Sequence, residues 1–314
     1  MFKKILVGTD FSKESYAALR AAISLAERCV ASIHCIFVAP FDSDVYGSAN
    51  FPTPLTNVPS QLQAQLEEFF PSNLYPNSYR RVLIHVSVAE SILRYARKES
   101  CDLIVLGTHG RGTVGRFIMG SVAQRVARDS EIPVMVVRDV EHLEERYQGF
   151  SRVLAPTDFS EEGTKSVKLA VQLANFLKAD LHLVHVVDLP TVTDYTGLYP
   201  FLQMQMPDAS LLNVDSTLRA MLEKEYLVGN CKVATLLGDP FREILHYIET
   251  NEINFVVLGT HGRRGIDRVL LGSVTANLIS KCPIPVITIS EAKQIQIENR
   301  PVITEKKSAD LVLL

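Results

Sequence analysis

The sequence predicts an α/β protein made of two copies of one domain, each a parallel sheet with helices on both faces. Three observations lead there. The chain has 314 residues, enough for two domains of roughly 100–200 residues each. It also repeats itself: "KKILVGTDFSKESYAALRAAISLAERCVASIHCIFV" begins at Lys3 and "SRVLAPTDFSEEGTKSVKLAVQLANFLKADLHLVHV" at Ser151. Finally, each copy alternates short apolar runs with helical patterns, as strands buried on both faces require.

The repeat holds its register. Asp10 and Asp158 lie 148 positions apart, as do His34 and His182, and Gly107 and Gly259 lie 152 apart. A copy of this length carries its own core, unlike the short repeats of a solenoid. The expected domains are residues 1–138 and 151–290, joined by a linker at 139–150 and followed by a tail at 291–314 that is polar until "LVLL".

Within each copy the elements follow in order. Residues 3–9 and 152–156 are first strands. "TDFS" then offers Asp and Ser side chains to free helix N–H groups. Residues 13–29 carry Ala17, Ala21, Leu25 and Cys29 at four-residue spacing, which is helical. "SIHCIFV" and "DLHLVHVV" read as second strands, and "RRVLIHVSV" and "CKVATLLG" as third strands. Helices at 89–99 and 240–250 precede the fourth strands, "LIVLG" and "FVVLG". Helices at about 121–129 and 273–281 lead into "PVMVV" and "PVITI". Residues 40–60 and 189–210, the latter with Met204 and Met206, are irregular and lead into helices at 61–70 and 211–226. Loops of this kind are either ligand covers or plain surface excursions.

Composition narrows the function. Hydrophobic residues make up 47% and charged residues 21%, a globular balance. A net charge of −3 gives no electrostatic case for nucleic acid or an anionic membrane. No run approaches the roughly 18 apolar residues of a membrane span, and "MFKKILVGTDFS" lacks the apolar core of a secretory signal. The five cysteines are odd in number and contain no CxxC, against a disulfide framework or a zinc site. The expected compartment is the reducing cytoplasm.

The chemistry is concentrated in "IVLGTHGRGTVGRFIMGSV", Ile104 to Val122, and "VVLGTHGRRGIDRVLLGSV", Val256 to Val274. Both contain Gly-x2-Gly-x9-Gly-Ser: Gly107, Gly110, Gly120 and Ser121, then Gly259, Gly262, Gly272 and Ser273. Glycines after a strand let backbone approach a ligand, and the following helix start offers N–H groups and partial positive charge. Together they suit an anion, most naturally phosphate. Arg111, Arg263 and Arg264 can add charge. No GxxxxGK[ST] occurs, so a P-loop is unsupported. "GRGTVG", Gly110 to Gly115, follows the fourth strand and becomes "GRRGID" in the second copy, so its match to a dinucleotide fingerprint is accidental.

Plainer readings stand beside these. The glycines can be simple turns. Ser121 with Gln124 can form a capping box, although Ser273 is followed three residues later by Ala276. Asp10 and Asp158 can be helix caps, and His109 and His261 ordinary loop histidines with no visible nucleophile partner. His34, His182 and His185 sit on strands and are expected to pack there.

With these motifs in place, the chain resembles the universal stress protein family as a tandem, ATP-binding member, over about residues 1–138 and 151–290. The resemblance implies two adenine-nucleotide α-hydrolase-like domains, each a five-stranded parallel sheet of order 3-2-1-4-5. It implies dimerisation through the fifth strand, either as a pseudo-dimer within the chain or as a homodimer. The adenine side maps to Pro156, Thr157 and Asp158, and to Gly8, Thr9 and Asp10. Val186, and Val38 in the first copy, would flank the base. The fourth-strand exit maps to Leu258, Gly259, His261 and Gly262, and to Leu106, Gly107, His109 and Gly110. The phosphate end maps to Gly272, Ser273, Val274 and Thr275, and to Gly120, Ser121 and Val122, with Ala123 replacing the last hydroxyl. The first copy has "VSVAESI" where the second has the more family-like "LGDPFREI", so the second is expected to be the better site. The implied ligand is ATP, ADP or AMP, with Mg2+ as a companion, and the implied role is a nucleotide-responsive stress-response protein. A weak ATPase or phosphotransfer enzyme, and an interaction scaffold with vestigial sites, are the alternatives, with protein partners unspecified.

Overall fold

The computed structural model describes residues 1–40, 58–108, 120–138, 150–188, 208–225, 229–262 and 271–290. Most of the two long loops, the arginines after Gly110 and Gly262, the linker and the tail lie outside the described residues. Two compact units follow the two copies: residues 2–138 build the core of one, and 150–278 with 284–289 that of the other.

In the first unit β1 (Lys4–Thr9) is followed by α1 (Lys13–Cys29), β2 (Ser32–Pro40), α2 (Val58–Phe69), β3 (Ser78–His85), α3 (Val88–Lys98), β4 (Leu103–Gly107), α4 (Ser121–Asp129) and β5 (Val134–Val137). The second unit repeats the order with β6 (Arg152–Pro156), α5 (Glu161–Leu177), β7 (Asp180–Val187), α6 (Asp208–Glu223), β8 (Cys231–Leu237), α7 (Pro240–Thr250), β9 (Phe255–Gly259), α8 (Ser273–Lys281) and β10 (Val286–Ile289).

All pairings within each unit are parallel. The first sheet runs β3-β2-β1-β4-β5, and the second runs β8-β7-β6-β9-β10. This is the expected order, twice. Ile5, Leu6 and Val7 of β1 and Ile104 and Val105 of β4 are wholly buried, so consecutive residues on both faces are covered. Helices supply that cover. Gly8 of β1 lies against Ile92 of α3, while Gly107 of β4 abuts the first turn of α1.

Side-chain caps set four of the eight helix starts among the described residues. Ser12 and Ser160 accept the N–H of Ser15 and Gly163, and Ser87 and Asp239 do the same for Glu90 and Arg242. Ser87 also explains why β3 stops at His85, short of the run to Val88 that apolarity alone suggests: Val88 already belongs to α3. The asparagine- and glycine-favoured left-handed conformation recurs at equivalent places, at Phe11 and Phe159, Val30 and Lys178, and Ser100 and Glu252. Backbone oddities are duplicated along with the sequence.

The five cysteines are free thiols. Among the described residues no helix is long and apolar enough to cross a membrane.

His34 and His182 pack on their strands, as expected, and each finds a tyrosine. His34 Nδ1 lies 2.8 Å from the Tyr95 hydroxyl, and His182 Nδ1 lies 3.0 Å from that of Tyr247. Burial, then the positive charge of Lys4 or Lys232, holds both imidazoles below their ordinary value of 6.5. The folded chain therefore takes up these protons less readily than the unfolded chain. Stability is full above the unfolded value, falls as the pH drops through it, and goes on falling to the lower folded values. Urea midpoints measured at pH 7.5 and 5.5 should show this loss, and a His34→Gln, His182→Gln double variant should show less of it. An equal pH dependence in the variant would assign the loss to other groups.

Candidate nucleotide cleft of the second unit

The cleft forms where the carboxyl ends of β6, β7 and β9 meet the start of α8, next to α5 and α7. It has a volume of about 710 Å3. Crevices at the carboxyl ends of parallel strands, where the strand order reverses, are where open α/β sheets bind ligands.

The turn after β6 is built from its own side chains. Asp158 Oδ1 accepts the Ser160 N–H at 3.0 Å and the Ser160 hydroxyl at 2.6 Å. Thr157 Oγ1 accepts the Phe159 N–H at 3.1 Å, across a residue at φ 63°. The cap of α5 is thus Ser160, and Asp158 holds the cap in place. Ser12 and Asp10 repeat the arrangement in the first unit, with bonds of 3.1 and 2.5 Å.

The exit of β9 is pinned to α5 by one carboxylate. Glu162 Oε2 accepts the His261 N–H at 2.6 Å and the Thr260 hydroxyl at 2.9 Å, and Oε1 lies 3.2 Å from His261 Nδ1. A carboxylate can only accept here, so Nδ1 carries the proton. His261 Nε2 is buried and has no hydrogen-bond partner among the described residues.

The three motif glycines have different neighbours. A Cβ on Gly259 would stand 2.8 Å from Glu162 Cβ and 3.0 Å from its carbonyl carbon. The close approach this glycine permits is to helix α5. Gly262 faces the cleft's carboxylate, with an added Cβ 2.7 Å from Asp158 Oδ2. Gly272 precedes α8 and donates its N–H to the Thr260 carbonyl at 2.8 Å, tying the helix start to the strand exit.

The first helical bond of α8 runs from the Ala276 N–H to the Gly272 carbonyl at 2.9 Å. The N–H groups of Ser273, Val274 and Thr275 therefore lie outside the helical ladder, at its positive end. Thr275 is buried and donates its hydroxyl to the Gly259 carbonyl at 2.8 Å, so this side chain braces the site. In the first unit α4 starts at Ser121 behind Gly120 and has no side-chain cap. The capping box of Ser121 with Gln124 does not form.

The structure brings together the second-copy residues that the resemblance maps: Pro156, Thr157 and Asp158 from β6 and its turn, Val186 from β7, Leu258, Gly259, His261 and Gly262 from the β9 exit, and Gly272, Ser273, Val274 and Thr275 from the start of α8 all line this cleft, while Arg263 and Arg264 lie outside the described residues. It adds residues the sequence reading did not name as part of the site. Asp188 lines it, as do Asp239, Phe241 and Ile244 of the "LGDPFREI" stretch, which the sequence reading tied to the site without naming its residues, and so does His185, which the strand pattern assigned to packing. His185 sits one position before Val186 at a strand's carboxyl end, which was the available signal.

In the first unit Gly8, Thr9, Asp10, Val38, Leu106, Gly107, Gly120, Ser121 and Val122 occupy the corresponding positions, and His109 and Gly110 lie outside the described residues. Leu106 Cδ2 lies 2.6 Å from where a Gly8 Cβ would be, Val38 is only 5% exposed, and the Thr9 hydroxyl pairs with that of Ser15 at 3.0 Å. Ala123 supplies no counterpart to the Thr275 brace. Among the described residues of either unit, no group of three or more His, Cys, Asp or Glu side chains could hold a metal ion.

Comparison with known proteins agrees with this geometry. The model of the universal stress protein family matches residues 1–138 and 149–290. A universal stress protein of Methanocaldococcus jannaschii is 26% identical over 161 residues, covering 51% of this chain and 89% of its own. One of Thermus aquaticus is 31% identical over 140 residues, 44% of this chain and 100% of its own. The crystal structure of a universal stress protein from Archaeoglobus fulgidus superimposes with a TM-score of 0.62 at 20% identity, over 91% of this chain and 96% of that one. The chain is a tandem, two-domain member of the universal stress protein family.

Proposed function

We propose that the second unit binds an adenine nucleotide, and that the chain acts as a nucleotide-responsive regulatory protein of the stress-response type. The observation that carries this reading is convergence: four separate stretches, matched to the family's nucleotide signature by sequence alone, line one cleft. The cleft also has the polarity a nucleotide needs. Phosphate oxygens fit the N–H groups of Ser273, Val274 and Thr275, with the glycines leaving backbone accessible. Pro156, Val186, Ile244 and Leu258 offer an apolar wall for a base. ATP, ADP and AMP all satisfy that description. The first unit is the weaker site on this reading, since it has "VSVAESI" where the second has "LGDPFREI" and Ala123 where the second has the Thr275 brace.

The test is to purify the chain, denature it and quantify released adenine nucleotide beside Gly272→Val and Gly120→Val variants. A Cβ on Gly272 would already stand 3.1 Å from the Thr260 carbonyl oxygen, so valine displaces the helix start. The expected result is nucleotide in wild type and in Gly120→Val but not in Gly272→Val, with ATP affinity in the latter down roughly thirtyfold or more, a loss of about 2 kcal/mol. Retention in Gly272→Val with loss in Gly120→Val would move the main site to the first unit. No nucleotide in wild type, and none taken up from added ATP, would leave an interaction protein whose loops only resemble a site.

A further inference from the structure

The end of β7 carries a histidine whose tautomer the backbone selects. His185 Nδ1 lies 2.7 Å from the Thr157 carbonyl oxygen. A carbonyl only accepts, so Nδ1 holds the proton and the neutral ring keeps a lone pair on Nε2. The ring is half-buried and lines the cleft. It stacks on Phe159, with centroids 4.6 Å apart and planes tilted by 34°.

The first unit is an internal control. Phe37 stands where the second unit has His185, and it stacks on Phe11 at 4.6 Å and 32°. Phe11 and Phe159 share φ 63°, and each donates its N–H to the threonine two residues before it. Plate, turn and backbone conformation are the same in both units. Packing alone is therefore met by phenylalanine. The turn does not need the bond from Nδ1 either, because the first unit forms the same turn without it. What histidine adds is a second ring nitrogen with a lone pair, on a side chain that lines the cleft.

We infer that His185 Nε2 is a specificity-determining acceptor that takes a hydrogen bond from a donor on the nucleoside part of the ligand. This rests on the nucleotide reading above. The sheet order sets which part of the ligand it meets. β7 is separated from β9 by β6, so His185 stands about 10 Å, two strand spacings, from the β9 exit and its glycines. Phosphate at α8 leaves the nucleoside to extend toward β7. The donor is either the exocyclic amine of adenine or a ribose hydroxyl. A 6-oxo purine would turn an acceptor toward Nε2, and a deoxyribose would leave it unpaired; a buried acceptor without its donor is what makes such sites selective.

The experiment measures dissociation constants of ATP, inosine triphosphate, 2′-deoxy-ATP and 3′-deoxy-ATP for the full chain, for His185→Phe and for His185→Gln, with circular dichroism as a check on folding. Wild type should bind one analogue roughly tenfold or more weaker than ATP, the scale of one hydrogen bond. His185→Phe should lose that difference. His185→Gln, whose side-chain oxygen still accepts, should keep part of it. Loss of discrimination against inosine triphosphate assigns the amine; loss against a deoxy analogue assigns that hydroxyl. Unchanged ratios for all three analogues in His185→Phe would overturn the inference, as would a folded His185→Phe that binds no nucleotide. Were His185→Phe unfolded, the same ratios read on His185→Ala would decide. Failure of wild type to bind any of the four nucleotides would instead overturn the nucleotide reading itself.

Discussion

Alanine at Gly107 is expected to destabilise the first unit by about 3 kcal/mol, the upper end of typical overpacking costs, and to do so with no nucleotide present. The added Cβ would stand 2.7 Å from the Glu14 carbonyl carbon, and 2.9 Å from both the Glu14 oxygen and the Ser15 nitrogen. All three are backbone atoms of the first turn of α1, so no side chain can rotate out of the way. β4 lies inside the sheet, paired with β1 on one side and β5 on the other, so it cannot slide without breaking pairing. Gly259→Ala should behave alike, since its Cβ would meet Glu162 Cβ at 2.8 Å and the Glu162 carbonyl carbon at 3.0 Å. Gly262 differs, because its nearest neighbour is Asp158 Oδ2, a side-chain oxygen that can shift at the expense of the Ser160 bonds, whereas backbone cannot. Gly262→Ala should therefore cost less stability than Gly259→Ala. Urea unfolding of the three variants checks the order. Wild-type midpoints for Gly107→Ala and Gly259→Ala would return these glycines to the ligand-approach role that the sequence suggests.

That contrast shows where sequence reasoning reaches and where it stops. The duplication, the strands and helices of each copy and the glycine motif were legible because each depends on local pattern; the strand order and the assignment of the second-copy cleft residues came from the family resemblance that the motif carries. Apolar runs mark strands buried on both faces, and a strand–glycine–helix series marks a helix start open to an anion. The separate jobs of the three glycines were not legible. They depend on what lies opposite each missing Cβ, and for Gly107, Gly259 and Gly262 those neighbours come from 92 or more positions away along the chain. The place of His185 at the cleft, beside its packing on Phe159, was not legible for a related reason. Period-two alternation places a strand residue on a face but does not say that the strand's last residues have left the core and entered a cleft. Asp10 and Asp158 were read as possible caps; the capping is done by Ser12 and Ser160, and each aspartate orients its serine.

Glu162 is the other residue that only the folded structure reveals, and its removal carries a comparably large expected effect. It is 9% exposed, and one carboxylate holds the Thr260 hydroxyl and the His261 N–H and faces His261 Nδ1, across a sequence separation of 98 to 99 residues. Glu162→Ala leaves these donors without their acceptor. Hydrogen bonds to charged groups contribute about 1.5–3 kcal/mol each and do not add in full, so a loss of about 3 kcal/mol is expected. Glu162→Gln keeps one accepting oxygen and should cost less. The first unit again supplies the control. Glu14 occupies the same helix position and makes no such bonds among the described residues, so Glu14→Ala should change stability by no more than about 0.5 kcal/mol. The clamp also bears on binding. His261 adjoins Gly262, and Thr260 accepts the Gly272 N–H through its carbonyl, so the clamped pair connects the glycine exit to the start of α8. Loosening it should weaken ATP binding in Glu162→Ala beyond what the loss of folded protein explains, and Glu162→Gln should recover part of that binding. Equal urea midpoints for Glu162→Ala and Glu14→Ala would mean that the carboxylate is not needed to hold the strand exit, and unchanged ATP affinity in folded Glu162→Ala would detach the clamp from the phosphate end of the cleft.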